Sequence, residues 1–220
     1  MDNWHNIYKE KAQEYEYYKI HESHEDMAQI RDVLQKAGCK TVLDVGVGAG
    51  RNAVFLAEAE FSVWGIDRAQ AGLDLAKATA EQKKLTLNLL RGDVYDALPY
   101  KDAFFDAVIS VQVLQHNTHE HIQNAISEIY RILKPGGVVF VTVCGRYSKG
   151  KVRHCLVKTA EKIAQQTYVP RIGDEAGLTH YIFTKKQLLS DFKQFETQKL
   201  WKDSRDYYCL LAKKPDEKLN

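Results

Sequence analysis

Apolar residues recur along the chain at two spacings, and the two alternate in a way that predicts an α/β fold. Between residues 27 and 37 they recur every three or four positions, as on one face of a helix, and Gly38 is placed to end that helix. From Thr41 to Val45 they form a short β-branched run, typical of a strand buried in a parallel sheet.

The same alternation continues for about a hundred residues. Strand-like runs and helical segments follow one another with short joints, which indicates βαβ units and a parallel sheet with right-handed crossovers. The predicted strands are 41–45, 61–66, 86–91, 105–111 and 138–143, and the predicted helices between them are 53–60, 69–84 and 118–133.

Residues 145–181 do not continue the alternation of strands and helices. The pattern predicts a basic loop to Arg153, a helix over 155–166 and a loop around Pro170. An irregular segment of this length inside an α/β domain is typical of a lid over a functional site. After it, Thr184 is expected to cap a helix that ends near residue 192, with Gln187 in the capping-box position. Two strands, 196–202 and 206–213, complete the predicted elements.

Length and composition favour one globular domain. The 220 residues are 45% hydrophobic and 27% charged, and the formal net charge is +2, which argues against a nucleic-acid binder that relies on a strong basic field. We expect a single domain made of an N-terminal helical cap (1–38), a cofactor-binding core (39–144), a substrate lid (145–181) and a C-terminal helix with two strands (182–213).

Cysteine usage and the lack of long apolar runs suggest the cellular compartment in which the protein works. The four cysteines lie far apart and form no CxxC pair, which is typical of a reducing compartment. The first residues are polar and charged, unlike a signal peptide, and no apolar run approaches the roughly 20 residues that span a bilayer. We therefore expect a cytoplasmic protein with no membrane partner and no nucleic-acid partner.

The segment 42–67 carries the clearest chemical signal. A strand leads into Gly46, Gly48 and Gly50, and a helix begins directly afterwards. Glycines at such a bend let a ligand approach bare backbone, and the helix start offers unpaired N–H groups. The next strand ends at Asp67, 19 residues after Gly48, which is the spacing at which a carboxylate reaches a ribose. The segment predicts a nucleoside site.

The glycine pattern separates two kinds of nucleoside. A dinucleotide fingerprint, GxGxxG, would place its third glycine at position 51, where this chain has Arg51. Asp44, two residues before the first glycine, either binds the ligand or caps the turn. An NAD-dependent oxidoreductase stays open as an alternative, and so does a cofactor-binding protein without turnover.

These residues resemble the S-adenosylmethionine-binding core of class I methyltransferases, in particular the small type-11-like methyltransferase domains. The resemblance covers residues 36–145 most closely. Its five motifs, in the family's order, are Asp44–Gly50, Asp67, Gly92–Val94, Phe104–Ser110 and Ile129–Gly137.

The resemblance implies a fold and a cofactor. The fold is a doubly wound, Rossmann-like sheet of seven strands in the order 3-2-1-4-5-7-6, flanked by helices and with the last strand antiparallel. The cofactor is S-adenosyl-L-methionine. The implied cofactor-binding residues are Gly46, Gly48 and Gly50 (methionine moiety), Asp67 (ribose), Asp93 and Val94 (adenine), Gln112 (near the sulfonium), Tyr8 and Tyr15 (aromatic lid), and also Asp44 and Arg68.

Two histidines are candidates for catalysis. His116 follows the fourth strand at its carboxyl end, where a neutral imidazole is placed to take a proton from an acceptor; the alternative is a helix-capping or supporting histidine. His180 lies where the chain returns to the site after the lid, and we expect it to contact the substrate. The eight histidines form no HExxH motif and no Cys/His quartet, so no metal site is expected.

Missing sequence motifs exclude some classes of methyl acceptor. Residues 110–113 lack the Asn/Asp-Pro-Pro-aromatic loop of enzymes that methylate exocyclic nucleic-acid amines, and no glutamate pair of the protein-arginine type follows. We expect direct in-line methyl transfer to oxygen, nitrogen or sulfur of a small molecule, with the oligomeric state left open. The basic run 146–158 is either a solvated face or a contact for an acidic acceptor.

Overall fold

The computed structural model describes residues 3–11, 22–173 and 175–216. Within these ranges the strands are β1 Thr41–Val45, β2 Ser62–Asp67, β3 Leu87–Arg91, β4 Phe105–Val111, β5 Leu133–Val143, β6 Tyr147–Ser148, β7 Lys151–Val152, β8 Glu161–Ala164, β9 Thr167–Val169, β10 His180–Tyr181, β11 Glu196–Lys202 and β12 Tyr208–Lys213. The helices are α1 Asn3–Asn6, α2 Met27–Lys36, α3 Arg51–Glu58, α4 Gln70–Gln82, α5 His119–Ile132 and α6 Lys185–Asp191. Two π-helical turns cover Ile7–Lys11 and His154–Lys158.

Seven of these strands form one sheet in the order β11-β12-β5-β4-β1-β2-β3. The five strands from β1 to β5 are parallel, and β12 runs antiparallel to both of its neighbours. With β11 as the sixth strand and β12 as the seventh, this confirms the predicted order 3-2-1-4-5-7-6.

Helices cover both faces of the sheet. One apolar cluster packs α5 and α6 against one face, and a second packs α2, α3 and α4 against the other. Strands buried on both faces read as continuous apolar runs, which is why the central strands could be found from sequence. The sheet is therefore doubly wound.

Helix α2 ends as its sequence predicts. Its apolar stripe, Met27, Ile30 and Leu34, is buried. Gly38 has φ +72°, its N–H donates to the Gln35 carbonyl, and the next N–H reaches back to Leu34. Only a residue that tolerates a left-handed backbone closes a helix in this way.

The lid differs from its predicted form. The helix predicted for 155–166 is wrong: the chain makes one π-helical turn and then the hairpin β8–β9. The hairpin lets Tyr168 bury beside Val157 and Ile182, and this tertiary contact outweighs local helix propensity. The predicted basic loop is instead the small hairpin β6–β7, whose turn residues Lys149 and Gly150 both have positive φ.

Across the described ranges, no helix is both long enough and apolar enough to cross a bilayer.

Candidate functional site

A cleft of about 1130 Å³, part of it open solvent, lies at the carboxyl ends of the parallel strands. It sits beside β1, where successive connections leave in opposite directions and open α/β sheets bind their ligands. Its lining joins the bend Gly46–Gly50, called the glycine turn below, to Asp67, Gln112 and the histidines His116 and His180. The sheet thus brings most of the predicted site residues to one place.

The glycine turn is shaped by close packing. Its first N–H groups, of Gly46 and Val47, both donate to the Ile66 carbonyl at 2.8 and 3.1 Å. Gly46 has φ +78°, and a Cβ added there would lie 2.6 Å from a methyl carbon of Val113. Gly50, with φ +83°, is the N-cap residue directly before α3. The turn therefore needs glycine both for its backbone angles and for space.

Asp67 ends β2 and is 9% exposed. One carboxylate oxygen accepts a hydrogen bond from the Gly48 N–H at 2.8 Å, and the other accepts from the Ala69 N–H at 2.9 Å. The residue therefore ties the glycine turn to the start of α4 while it lines the cleft.

Asp44 lies in β1, below the glycine turn, and is 2% exposed. Its Oδ2 atom is buried and has no hydrogen-bond partner among the described residues. Burial raises the pKa of this carboxyl to about 7; Arg51 opposes the shift and Asp67 adds to it. An unpaired buried carboxyl next to a cleft is suited to accept hydrogen bonds from a ligand.

Gln112 directly follows β4 in a strained conformation. Its φ is +62°, and its N–H donates to both the carbonyl and the hydroxyl of Thr142 at 3.0 Å. Within the described ranges the amide nitrogen Nε2 is buried without a partner. A non-glycine residue held in this region of φ is often found at functional positions.

The predicted adenine residues are divided between the cleft and its rim. Val94 lines the cleft. Asp93 lies at the rim, where its carboxylate accepts from the Tyr95 N–H at 3.1 Å and pairs with Arg68 at 3.4 Å. Arg68 contributes to the cleft lining as well.

Residues near the amino terminus close one side of the cleft. Trp4 and Tyr8 both line it, and a Cβ added to Gly48 would overlap the Tyr8 hydroxyl. Burial, together with the nearby Asp67, raises the pKa of the Tyr8 hydroxyl above its usual range. Tyr15, the other aromatic residue predicted for this role, lies outside the described residues.

His116 lies at the other end of the cleft. Its ring makes edge contacts with the rings of Trp4 and His180, at centroid distances of 4.7 and 4.6 Å. Burial, with His180 as the second cause, lowers the pKa of His116 to about 3. The imidazole is therefore neutral at physiological pH.

His180, in β10, is 1% exposed and closes the floor of the cleft. Its Nδ1 donates to the Leu178 carbonyl at 2.9 Å, and its Nε2 lies 2.9 Å from a carboxylate oxygen of Glu175. Burial alone would raise the pKa of Glu175, but its hydrogen bond with His180 and the nearby His116 and Arg153 together outweigh burial, and the pKa is lowered. Sequence reasoning missed Glu175 and also Trp4, because neither belongs to a motif.

Comparison with known proteins identifies a methyltransferase domain within the chain. A family profile described as "Methyltransferase domain" matches residues 42–137, which span the glycine turn, Asp67 and the chain up to β5. Residues 42–137 are a class I, S-adenosylmethionine-dependent methyltransferase domain. Its cofactor is S-adenosylmethionine, so the NAD-dependent alternative is set aside.

The methyltransferase domain has relatives among curated proteins. It is similar to the ubiquinone biosynthesis O-methyltransferase of Rickettsia canadensis (strain McKiel), 29% identical over 116 residues, or 53% of this chain and 48% of that protein. The chain spans about half the length of the curated relatives that it matches.

Solved structures show the same fold over more of the chain. A SAM-dependent methyltransferase from Methanosarcina mazei superimposes with a TM-score of 0.73 at 21% identity, covering 89% of this chain and all of that one. The 1,6-didemethyltoxoflavin-N1-methyltransferase of Burkholderia thailandensis, solved with S-adenosylhomocysteine, gives 0.65 at 17% identity, covering 87% of this chain and 79% of that one. The fold therefore extends beyond the matched domain into the C-terminal strands.

Proposed function

We propose that the protein transfers a methyl group from S-adenosylmethionine to a hydroxyl oxygen of a small-molecule acceptor. The observation that carries this proposal is that one cleft is lined both by the glycine turn with Asp67, which we take as its cofactor end, and by His116 with His180, which we take as its acceptor end. The first end suits the cofactor and the second suits the acceptor.

The residues at the first end fit the cofactor. S-adenosylmethionine supplies the methyl group on a positively charged sulfur. The bare backbone of the glycine turn would hold its methionine part, Asp67 its ribose hydroxyls and Val94 its adenine. The atoms Asp44 Oδ2 and Gln112 Nε2 are an acceptor and a donor without a partner among the described residues, so both are available to a ligand. Asp93 and Arg68 would support the adenine end from the rim, and Tyr8 would cover the ligand.

The second end suits an acceptor hydroxyl. His116 is neutral and, within the described ranges, its buried Nδ1 has no partner, so it is available to bind the hydroxyl group. His180 is held rigidly by Leu178 and Glu175 and fixes the floor against which the acceptor rests. Because a displacement reaction depends mainly on the alignment of the two reactants, this positioning supplies much of the rate. The Rickettsia relative is named an O-methyltransferase, which supports oxygen as the acceptor atom.

Two measurements, made one after the other, test this function. Calorimetry with S-adenosylhomocysteine and with NAD should show binding of the first alone. Radiolabelled methyl transfer across a panel of metabolites should then label hydroxyl compounds, and His116→Ala should abolish the labelling while His121→Ala, an exposed histidine on α5, should not. Cofactor binding without any labelled product would favour the alternative of a binding protein without turnover.

A further inference from the structure

Three side chains converge at the acceptor end of the cleft. One ring nitrogen each of His116 and His180 and a carboxylate oxygen of Glu175 lie within 4.8 Å of one another. The three residues come from the chain after β4, from the loop before β10 and from β10 itself. All three line the cleft, and we call them the His–Glu–His cluster.

The hydrogen bonds of His180 leave one nitrogen directed at Glu175. Because the Leu178 carbonyl can only accept, the Nδ1 of His180 must carry a hydrogen. In the neutral ring, Nε2 is then a lone pair facing a carboxylate oxygen 2.9 Å away. Two lone pairs at this distance repel, so either a proton or a metal cation belongs between them.

The contact between His116 and Gln115 also favours a ring nitrogen that is left as a lone pair for a cation. Gln115 Nε2 lies 3.2 Å from His116 Nε2, while in the described part of the chain Gln115 Oε1 and His116 Nδ1 are both buried without partners. Rotation of the Gln115 amide by half a turn would let its oxygen accept from His116 Nε2–H. His116 Nδ1 would then be a free lone pair. Histidines that bind metals usually donate their second nitrogen to an oxygen in this way, as His180 does to Leu178.

We propose that His116, Glu175 and His180 bind a divalent first-row transition metal ion such as Zn²⁺. Two imidazoles and one carboxylate are a common donor set for such ions and leave coordination positions open. Ligand atoms on one such ion lie about 3 to 3.5 Å apart, because each bond is about 2.0–2.2 Å long. The cluster, with all its atoms inside 4.8 Å, needs side-chain shifts of only about an ångström to close on the ion. This proposal departs from the expectation of no metal site that was drawn from sequence motifs.

The surroundings of the cluster are compatible with one cation. Arg153 lies near Glu175, but its guanidinium donates to the carbonyls of Gly145 and Arg205, both at 2.9 Å, and lies over the ring of Tyr207. Cys144 also lines the cleft, but its thiol is not one of the groups that lie within 4.8 Å of one another in the cluster.

The role of the ion rests on the proposed function, although its binding does not. With His116 Nδ1 bound to the ion, the acceptor hydroxyl would contact the ion in place of His116. The open coordination positions face the cleft, where the acceptor hydroxyl would bind. A metal-bound hydroxyl loses its proton far more readily than a free one, and the proton leaves to solvent. The resulting oxygen anion forms the new O–CH3 bond as the S–CH3 bond breaks.

Binding of Co²⁺, a coloured substitute for Zn²⁺, tests the site without any methyl transfer. The chelator-treated full-length protein should take up one Co²⁺ per chain, seen as d–d absorption bands, and Zn²⁺ should displace it. Glu175→Gln and His180→Ala should weaken binding by about 10-fold or more, whereas the matched control His121→Ala should leave it unchanged. Circular dichroism confirms that each variant is folded, and the nearly isosteric Glu175→Gln serves if His180→Ala does not fold.

Three results would overturn the site: no Co²⁺ uptake, uptake of equal affinity in Glu175→Gln, or a thiolate charge-transfer band. The last would place the ion at the second group able to hold a metal, His24, Asp26 and Cys209. Both ring nitrogens of His24 already have partners, since Nε2 contacts Asp203 and Nδ1 accepts from the Asp26 N–H. Calorimetry with S-adenosylhomocysteine on the same samples tests the proposed function separately, so either proposal can fail alone.

Discussion

The carboxylate of Asp67 accepts a hydrogen bond from the backbone N–H of Gly48 at 2.8 Å, across the gap between β2 and the glycine turn. The strand and the turn are thus held together before any ligand arrives. A cleft shaped in advance loses less conformational freedom when it binds.

Asp67→Ala should weaken cofactor binding and lower stability together. It removes the proposed ribose ligand and leaves the N–H groups of Gly48 and Ala69 without their acceptor. We expect a loss of about 1–3 kcal/mol in the binding free energy of S-adenosylhomocysteine, measured by calorimetry. Asp74→Ala, at an exposed position on α4, is the control. Unchanged affinity in Asp67→Ala would contradict the ribose assignment.

Gly46→Ala should destabilise the protein more than Gly38→Ala. Both glycines have φ above +70°, but a Cβ at Gly46 runs into Val113, whereas a Cβ at Gly38 meets nothing within 4 Å. Gly38→Ala should therefore cost only the backbone strain, about 1–2 kcal/mol, and Gly46→Ala should cost a further 1–3 kcal/mol or so from overlap. Urea denaturation measures both. Adding Val113→Ala should recover the overlap but not the strain; equal costs at the two glycines would contradict this account.

The buried carboxyl of Asp44 should make cofactor affinity depend on pH. Because its pKa is raised to about 7, the free protein holds it largely protonated below that pH, while a bound donor favours the ionised form. Affinity for S-adenosylhomocysteine should rise by up to about tenfold per pH unit below 7 and level off above.

Asp44→Asn is the control for that pH effect. The variant should bind with a flat pH profile between 5.5 and 8.5, approximately, apart from titration of the ligand itself. It should also unfold at a higher temperature at pH 8, because ionising a buried carboxyl destabilises the folded state as pH rises towards 7. A wild-type profile as flat as that of the variant would show that Asp44 does not contact the cofactor.

Gln112→Gly should raise the stability of the protein and weaken its binding of the cofactor. Glycine relieves the strain of φ +62°, which is worth up to about 1 kcal/mol, but it removes the unpaired amide that lines the cleft. Lys84→Gly, at φ +57° after α4, is the matched control: it should gain similar stability with no effect on cofactor binding. Thermal unfolding and calorimetry separate the two effects. Undiminished binding in Gln112→Gly would remove Gln112 from the site.

Asp106 should account for part of the acid sensitivity of the fold. At the amino end of the sheet it accepts from the N–H groups of Lys40 and Thr41, from the Thr41 hydroxyl and from Lys134 at 2.6 Å. Burial would raise its pKa, but these bonds outweigh it and lower the pKa to about 2.

A carboxylate whose pKa is lowered in the folded protein stabilises the fold at pH values above its ordinary pKa. That stabilisation is lost as the pH falls towards 2. Asp106→Asn should therefore cost about 2 kcal/mol at pH 7, and roughly half of that difference should disappear by pH 3. Asp102→Asn, whose exposed ion pair with Arg131 contributes little, is the control in urea denaturation at both pH values. A cost that did not change with pH would show that the charge of Asp106 is irrelevant.

The sheet was predictable because its signals are local. Strand β4 occupies Phe105–Val111, the same bounds that its apolar run predicts, and the glycine turn is shaped by steric needs visible in five consecutive residues. Strand order then follows from short joints and crossover handedness.

The acceptor end was less predictable because its geometry is not local. The rings of His116 and His180, far apart in the sequence, meet only once the chain returns to the cleft at β10, which pairs with β9. The orphaned atoms of Asp44, Gln112 and His116 can be recognised only once their neighbours are in place. Residue types marked where the cofactor would bind, whereas the contacts of the acceptor end needed coordinates.

Strand β12 lies between β5 and β11, although it is the last strand to be synthesised. Until residues 208–213 leave the ribosome, one edge of β5 lacks its hydrogen-bonding neighbour, and the apolar face to which Leu210 contributes stays incomplete. A nascent chain that stalls before this point exposes an unpaired strand edge with which other chains can associate. Completion of the sheet therefore waits for the segment 208–213, and a chain cut before that segment is where misassembly would begin.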